Sequence, residues 1–173
     1  MTYPDYINEL CHVTYDMWNK GWDEYNGGNV SYRLTENEVK NLAIDLENTP
    51  YSFYPDNRIE TEVLEVPKHI QGEYILITAS GSHFRTLCLQ PHVDTGIIKL
   101  TSKGYQVVAG FVTGKHPTSE IFMHVLAHAA RVKVDPNHRV VIHNHATNIA
   151  VYSLLDEVTS ESLTLDLWSV LTE

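Results

Sequence analysis

The sequence of 173 residues contains only two cysteines, and these lack the CxxC spacing of metal-binding and redox motifs. Cys11 and Cys88 lie in apolar surroundings, so we interpret both as reduced core residues. Basic residues are also scarce, because 12 Lys and Arg stand against 22 Asp and Glu and give a formal net charge of −10. A nucleic acid or an anionic membrane would repel such a chain, so any bound anion has to be held by local donors.

Long apolar runs are missing as well, since none approaches the roughly 18 residues that cross a bilayer. The N-terminal residues lack the basic and apolar regions of a signal peptide, so we expect the protein in the cytoplasm. Apolar residues make up 43% and charged residues 20% of the chain, which is an ordinary globular mixture. We find no internal repeat and expect residues 1–173 to form a single domain.

Residues 140–145 carry the clearest chemical signature in the sequence. Three β-branched residues predict a short buried strand, and side chains two positions apart along a strand point to the same side. His143 and His145 therefore project together and could supply two ligands of a tetrahedral zinc site, although a pair of surface histidines is the alternative. A rival pair, His124 and His128, lies four residues apart on a predicted helix. It lacks the adjacent glutamate of the helical zinc-protease motif and is less favoured.

Hydrophobic periodicity predicts both helices and strands along the chain. Helices are expected over residues 4–20, after a capping box of Thr35 and Glu38, over 147–155 and over 160–172. Strands are expected over 30–34 and 74–78, with a β-hairpin formed by 96–100 and 105–109. Residues 47–71 include three prolines and predict an irregular excursion, with room for a short strand over 61–66.

Three stretches offer neutral hydrogen-bond donors that suit a phosphate. Residues 26–29 form a Gly-rich turn before a strand, and residues 79–82 follow another strand with small residues and serine hydroxyls. A helix capped by Thr118 or Ser119 would add free N–H groups and a positive dipole end, with Glu120 in its first turn. Each stretch has a plainer interpretation, and for 26–29 alone a tight turn without a ligand is favoured.

The order of four motifs adds a resemblance to these patterns. Residues 21–29, 78–85, 117–120 and 143–148 resemble, in sequence and in spacing, motifs of the zinc-dependent class II aldolase/adducin family. The resemblance implies a three-layer α/β/α sandwich around a central, largely antiparallel sheet. It also implies a homotetramer whose active sites lie at subunit interfaces.

Site residues follow from the resemblance position by position. His143 and His145 correspond to two of the family's three zinc-binding histidines, Glu120 to the catalytic acid/base, and Glu173 to a second functional carboxylate that reaches a neighbouring subunit's site. The residues that correspond to the phosphate-binding group are Asn26, Gly28, Asn29, Ser80, Gly81, Thr118 and Ser119.

One family feature has no counterpart in the sequence. The third zinc-binding histidine of the family lies beyond the position of Glu173, so we expect a C-terminally truncated domain with weak zinc binding and little activity of its own. His83 or His116 would be the substitute ligand if the short chain proved fully active.

The resemblance implies an aldolase reaction on a sugar phosphate. With Zn2+ as a Lewis acid, the expected substrate L-rhamnulose 1-phosphate would be cleaved to dihydroxyacetone phosphate and L-lactaldehyde. Fuculose-phosphate cleavage, ribulose-phosphate epimerisation and a non-catalytic, adducin-like binding module are the alternatives. A Schiff-base mechanism is disfavoured because Lys99 is the only, and a weak, candidate for a buried amine.

Overall fold

The computed structural model describes residues 3–60 and 65–153. The helices are α1 (Asp5–Asn19), α2 (Glu36–Leu46), α3 (Phe84–Leu87), α4 (Pro91–Asp94), α5 (Ile121–Val132) and α6 (Thr147–Ser153). The strands are β1 (Asn29–Arg33), β2 (Phe53–Glu60), β3 (Tyr74–Thr78), β4 (Thr95–Thr101), β5 (Gly104–Gly110) and β6 (Val140–His143). No helix within these residues is long and apolar enough to cross a membrane.

The strands form one sheet of six in the order β2-β5-β4-β3-β1-β6. Every neighbouring pair is antiparallel, so the prediction of a largely antiparallel sheet is confirmed. β1 lies between β3 and β6, and it is therefore bonded on both sides. This position places the start of β1 between the ends of two other strands.

Side chains alternate between the two faces of the sheet, and each face has its own core. Leu76 and Ile97 belong to a buried cluster that includes Ile7 of α1, Leu42 of α2 and Leu87 of α3. These apolar helix residues explain why the three helices cover the same face. They also account for one outer layer of the predicted α/β/α sandwich.

The opposite face is covered by α5. Ile75 and Ile77, which flank Leu76 in β3, share a second buried cluster with Ile121 and Val125 of α5. Both clusters are shielded by helices, so the sheet lies between two helical layers. The three-layer α/β/α prediction is thereby confirmed.

Local signals placed several elements correctly. The predicted helix over 4–20 is α1, and the predicted hairpin is the β4–β5 pair, in which Thr101 lies opposite Gly104. The capping box is also present, because Thr35 Oγ1 accepts from the Glu38 N–H at 3.2 Å. In return, Glu38 Oε2 accepts from the Thr35 N–H at 2.6 Å.

The prediction of an irregular excursion over 47–71 is wrong in its middle, where Phe53–Glu60 forms the edge strand β2. Its pairing with β5 shifts register between Phe53 and Arg58, and Pro55 lies within that irregularity. Prolines are tolerated on edge strands and at bulges, which explains why this one does not prevent a strand. Of the strand predicted over 61–66, residues 61–64 lie outside the described residues and 65–66 are not in a strand.

The prediction that 140–142 form a strand is confirmed, but the prediction that this strand is buried is wrong. These residues do form a strand, but Val140 is 54% exposed and Ile142 is 46% exposed. β-Branched side chains favour extended backbone at the edge of a sheet as well as at its centre. The predicted helix over 147–155 begins as expected in α6, whereas its last two residues and the helix predicted over 160–172 lie outside the described residues.

Candidate active site

The candidate site lies where three strands end at one edge of the sheet. In the antiparallel register, Ser31 is opposite Ile77 and Asn29 is opposite His143. The first residue of β1 consequently lies between the C-terminal end of β3 and the last residue of β6. The N–H of Val30 donates to Thr78 Oγ1 at 3.1 Å, which ties the first two of these strand ends together.

Glu120 is directed toward this edge from the start of α5. His143 Nδ1 donates to Glu120 Oε2 across 2.5 Å, and Asn29 Nδ2 donates to the same oxygen across 3.2 Å. The Glu120 and His143 side chains are 40% and 39% exposed, so the pair is half-buried and open to a ligand. A carboxylate next to an imidazole at an accessible sheet edge has the geometry needed for proton transfer.

The helix that carries Glu120 begins later than predicted. Glu120 is the N-cap residue of α5, whereas the sequence predicted Thr118 or Ser119 there and Glu120 in the first turn. Thr118 still stabilises this turn, because its Oγ1 accepts from the Glu120 N–H at 3.3 Å. The bridge between Ala79 and Pro117 keeps residues 117–120 beside β3 and delays the helix.

His145 lies next to His143, as the sequence predicted, although not because of strand geometry. β6 ends at His143, and the two imidazole centroids are 5.0 Å apart at an interplanar angle of 50°. The His145 N–H donates to the carbonyl of Trp22 at 2.7 Å, so the loop after α1 holds this histidine. A side chain at Gly27 would place its Cβ 2.5 Å from His145 Nδ1. Gly28 has a φ of +94°, which favours glycine in this turn.

The two imidazoles fit part of a zinc site by their chemistry. Because His143 Nδ1 donates to Glu120, its Nε2 is the nitrogen left for a metal. A catalytic zinc normally has three protein ligands. Within residues 3–60 and 65–153, no group of three or more His, Cys, Asp or Glu side chains is arranged to hold a metal.

The rival pair on α5 is arranged differently. His124 and His128 are buried, and Ser31 Oγ lies 2.7 Å from His124 Nδ1 and 2.8 Å from His128 Nε2. His124 Nε2 also contacts Asn29 Oδ1, so both of its ring nitrogens are engaged. Burial lowers the pKa of His124 to about 4 and that of His128 to about 3, which keeps both imidazoles neutral.

The three stretches predicted to bind phosphate are adjacent. Thr78 accepts at its carbonyl from the Thr118 N–H at 3.0 Å, and the Ser80 N–H donates to the His116 carbonyl at 2.9 Å. These two amides are therefore engaged within the protein. Exposed members of the predicted set could still meet an anion, and these are Asn26, Ser80, Gly81 and Ser119. The others are less accessible: Asn29 and Thr118 are buried and Gly28 is partly buried.

Three further residues were predicted for the site, namely His83, His116 and Glu173. His83 Nδ1 is 2.7 Å from the carbonyl of Tyr25, in the loop after α1. His116 precedes the bridge at Pro117 and accepts at its carbonyl from Ser80. Neither joins His143 and His145 in a group arranged to hold a metal within the described part of the chain. Glu173, the second predicted carboxylate, lies outside the described residues.

Sequence reasoning missed the role of Ser31 and the connection of His124 to the site. One signal for both was present, because polar residues interrupt apolar faces at helix and strand spacing. Asn29 and Ser31 lie two apart on β1, and His124 and His128 lie four apart on α5. Polar groups that face each other inside a core normally hydrogen-bond to one another.

Comparison with known proteins shows relatives along nearly the whole chain. A rhamnulose-1-phosphate aldolase of Mannheimia succiniciproducens is 35% identical over 171 residues, and one of Pectobacterium carotovorum is 37% identical over 173 residues. Each alignment covers 97% of this chain and 60% of the relative. The chain thus spans about 60% of the length of the curated relatives that it matches.

A solved structure supports the fold. The crystal structure of a sugar-phosphate aldolase from Thermotoga maritima matches with a TM-score of 0.63 at 24% identity, and the match covers 88% of this chain and 58% of that one. Residues 8–167 match the family model of the class II aldolase and adducin N-terminal domain. With this match over most of its length, the chain belongs to the class II aldolase/adducin family.

Proposed function

We propose that this chain supplies the main catalytic residues of a zinc-dependent aldolase that cleaves L-rhamnulose 1-phosphate to dihydroxyacetone phosphate and L-lactaldehyde. The observation that carries the proposal is the 2.5 Å contact between His143 Nδ1 and Glu120 Oε2, with the His145 ring beside it. Relatives named rhamnulose-1-phosphate aldolase support the choice of substrate, and the family match supports aldolase chemistry.

His143 and His145 would bind the metal, and a third ligand would have to come from another residue. When bound, the dication would act as a Lewis acid that stabilises negative charge on the substrate oxygens. The pairing of β6 with β1 holds His143, and the loop at Trp22 holds His145. Imidazole ligands are uncharged when they bind a metal, so such a site adds no negative charge to a chain whose formal net charge is already −10.

Glu120 would move the proton in this reaction. Cleavage of the carbon–carbon bond leaves an electron pair on the carbon that becomes part of dihydroxyacetone phosphate, and Glu120 would protonate that carbon. In the synthetic direction the carboxylate would remove the same proton. Its half-exposed position beside His143 makes it accessible to substrate while it remains oriented by Asn29.

The substrate phosphate would be bound by neutral donors at the adjacent turns. Asn26, Ser80, Gly81 and Ser119 are exposed there, and Gly28, Asn29 and Thr118 shape the wall behind them. Serine hydroxyls and a carboxamide can hold a phosphate without a local positive charge. We also propose a cytoplasmic homotetramer in which Glu173 serves a neighbouring subunit's site.

The proposal is tested on the protein expressed from its complete reading frame. Zinc content is measured, and aldolase activity is assayed with L-rhamnulose 1-phosphate, L-fuculose 1-phosphate and L-ribulose 5-phosphate. We expect cleavage of the first compound, strong loss in Glu120→Gln, and wild-type activity in Glu47→Gln, which changes an exposed carboxylate at the end of α2. A zinc-loaded protein that leaves all three sugars unchanged would exclude the proposed function.

A further inference from the structure

Two polar residues of β1 face two histidines of α5 inside the core. Asn29 and Ser31 point to the same side of β1, and His124 and His128 lie one turn apart on α5. All four side chains are at most 5% exposed. Burying polar side chains costs free energy unless they form hydrogen bonds, so these four are expected to hydrogen-bond to one another.

The four side chains form a continuous hydrogen-bonded chain that ends at Glu120. His128 Nε2 lies 2.8 Å from Ser31 Oγ, and Ser31 Oγ lies 2.7 Å from His124 Nδ1. His124 Nε2 contacts Asn29 Oδ1, and Asn29 Nδ2 lies 3.2 Å from Glu120 Oε2. We call this series the β1–α5 relay, from His128 through Ser31, His124 and Asn29 to Glu120.

The direction of every hydrogen bond in the β1–α5 relay follows from its last member. An ionised carboxylate only accepts, so the Asn29 NH2 group must face Glu120 and the Asn29 oxygen must face His124. His124 then carries its single proton on Nε2, because a neutral imidazole has one donor and one acceptor nitrogen. Its Nδ1 accepts from the Ser31 hydroxyl.

The hydrogen bonds at the His128 end of the relay run in the same direction. Since the Ser31 hydroxyl donates to His124, its oxygen accepts from His128 Nε2–H, and His128 Nδ1 carries no proton. That nitrogen is one of the few buried polar atoms without a hydrogen-bond partner among the described residues. Burial lowers the pKa values of both histidines, in agreement with two neutral rings. All four hydrogen bonds of the relay therefore donate in the direction from His128 to Glu120.

We infer that Ser31, His124 and His128 are positioning residues that fix the Asn29 carboxamide, so that its NH2 group holds Glu120 Oε2 beside His143. This inference rests on the proposed role of Glu120 as acid/base. Asn29 and His143 both contact Oε2, so Oε1 is the oxygen turned to substrate for proton transfer. Asn29 thus orients the carboxylate, whereas the resemblance assigned it to phosphate binding.

A kinetic comparison separates positioning from mere structural support. His124→Gln keeps an NH2 group that can reach the Asn29 oxygen, whereas His124→Leu removes that donor at similar size. We expect kcat to fall about 10- to 100-fold in His124→Leu with little change in KM, and to recover largely in His124→Gln. Val125→Ala is the control, because it removes buried apolar volume from the same helix without touching the relay.

A spectroscopic measurement on the unmutated protein needs no variant to fold. Long-range 1H–15N NMR correlations report which ring nitrogen carries the proton, and we expect the Nε2–H form for both His124 and His128 near pH 7. An Nδ1–H form of His124 would overturn the inference, and so would a His124→Leu enzyme with wild-type kcat. An inactive, zinc-loaded wild type would refute the proposed function instead, while the NMR result would still decide the direction of the relay.

Discussion

The N–H of His145 donates to the carbonyl of Trp22 across 2.7 Å, although the two residues are 123 positions apart in the sequence.

 The Thr147 hydroxyl makes a second such bond, to the carbonyl of Gly21 at 3.1 Å. The loop after α1 is therefore part of the wall of the site, and it determines where the second imidazole lies. Substitutions in this loop should therefore lower metal affinity more than they lower the stability of the fold.

Removal of the imidazole of either His143 or His145 should weaken metal binding. We expect His143→Ala and His145→Ala to lower the affinity for Zn2+ or Co2+ by at least about tenfold each, because each removes one imidazole ligand. Titration of the purified protein with either metal gives the affinity. His138→Ala is the control, since His138 is an exposed histidine beside Asp135. Unchanged affinity in a variant that lacks both His143 and His145 would move the site elsewhere, with His124 and His128 tested next.

Gly27→Ala should also weaken metal binding, although Gly27 has no side chain that could bind a metal. The added Cβ would lie 2.5 Å from His145 Nδ1, so the imidazole has to move. We expect a loss of zinc affinity on the order of tenfold, as for other changes that misorient a ligand. Gly72→Ala is the matched control: its φ of +89° strains the backbone, but nothing lies within 4 Å of its added Cβ. Equal zinc affinity of Gly27→Ala and the wild type would contradict the proposed position of His145.

Buried His128 should make the fold less stable in mild acid. Burial lowers the pKa of its imidazole to about 3 from the ordinary 6.5, so the unfolded chain takes up a proton at a higher pH than the folded one. The free energy of unfolding should be largest above about pH 6.5 and fall as the pH drops from there toward 3. The contribution of this one group is at most about 1.4 kcal/mol per pH unit.

Urea unfolding of the wild type and His128→Gln at neutral and mildly acidic pH measures this effect. The variant lacks the titrating ring, so its stability should fall less between the two conditions. His12→Gln, which changes an exposed histidine on α1, should behave like the wild type. Parallel curves for the wild type and His128→Gln would show that His128 does not titrate as its burial implies.

The capping box of α2 should contribute measurably to stability. Thr35→Ala removes the hydroxyl that accepts from the Glu38 N–H and should cost about 1 kcal/mol of unfolding free energy. Glu38→Ala should cost more, because the same carboxylate also accepts from the Tyr32 hydroxyl at 2.9 Å. Glu36→Ala, an exposed change in the same turn, is the reference. Denaturant unfolding that ranks Glu36→Ala as the most damaging of the three would contradict this account.

Local patterns in the sequence were sufficient for much of the fold. The apolar spacing of α1, the Thr35 and Glu38 box and the turn after Thr101 each depend on residues close together in the chain. β2 was missed because a proline normally argues against a strand, and only its place at the sheet edge makes Pro55 acceptable. Edge or centre is a property of the assembled sheet, and it does not show in a stretch of eight residues.

The same distinction applies to the site. The pairing of His143 with His145 was predictable from their spacing, whereas the Trp22 carbonyl that holds His145 was not. The start of α5 at Glu120 depends on the bridge between Ala79 and Pro117, a contact between distant segments. The β1–α5 relay likewise requires the register of two elements, and each element alone offers only polar residues on an apolar face.

The position of β1 between β3 and β6 has a consequence for how the candidate site forms during folding. Asn29 is 91 residues from Glu120 and 114 residues from His143, yet it contacts both. Contacts between such distant segments form late, after the entropy of closing long loops has been overcome. A chain in which these segments have not yet met would lack the contacts of the site, and recovery of metal binding during refolding would report the association of β1 with β6 and α5.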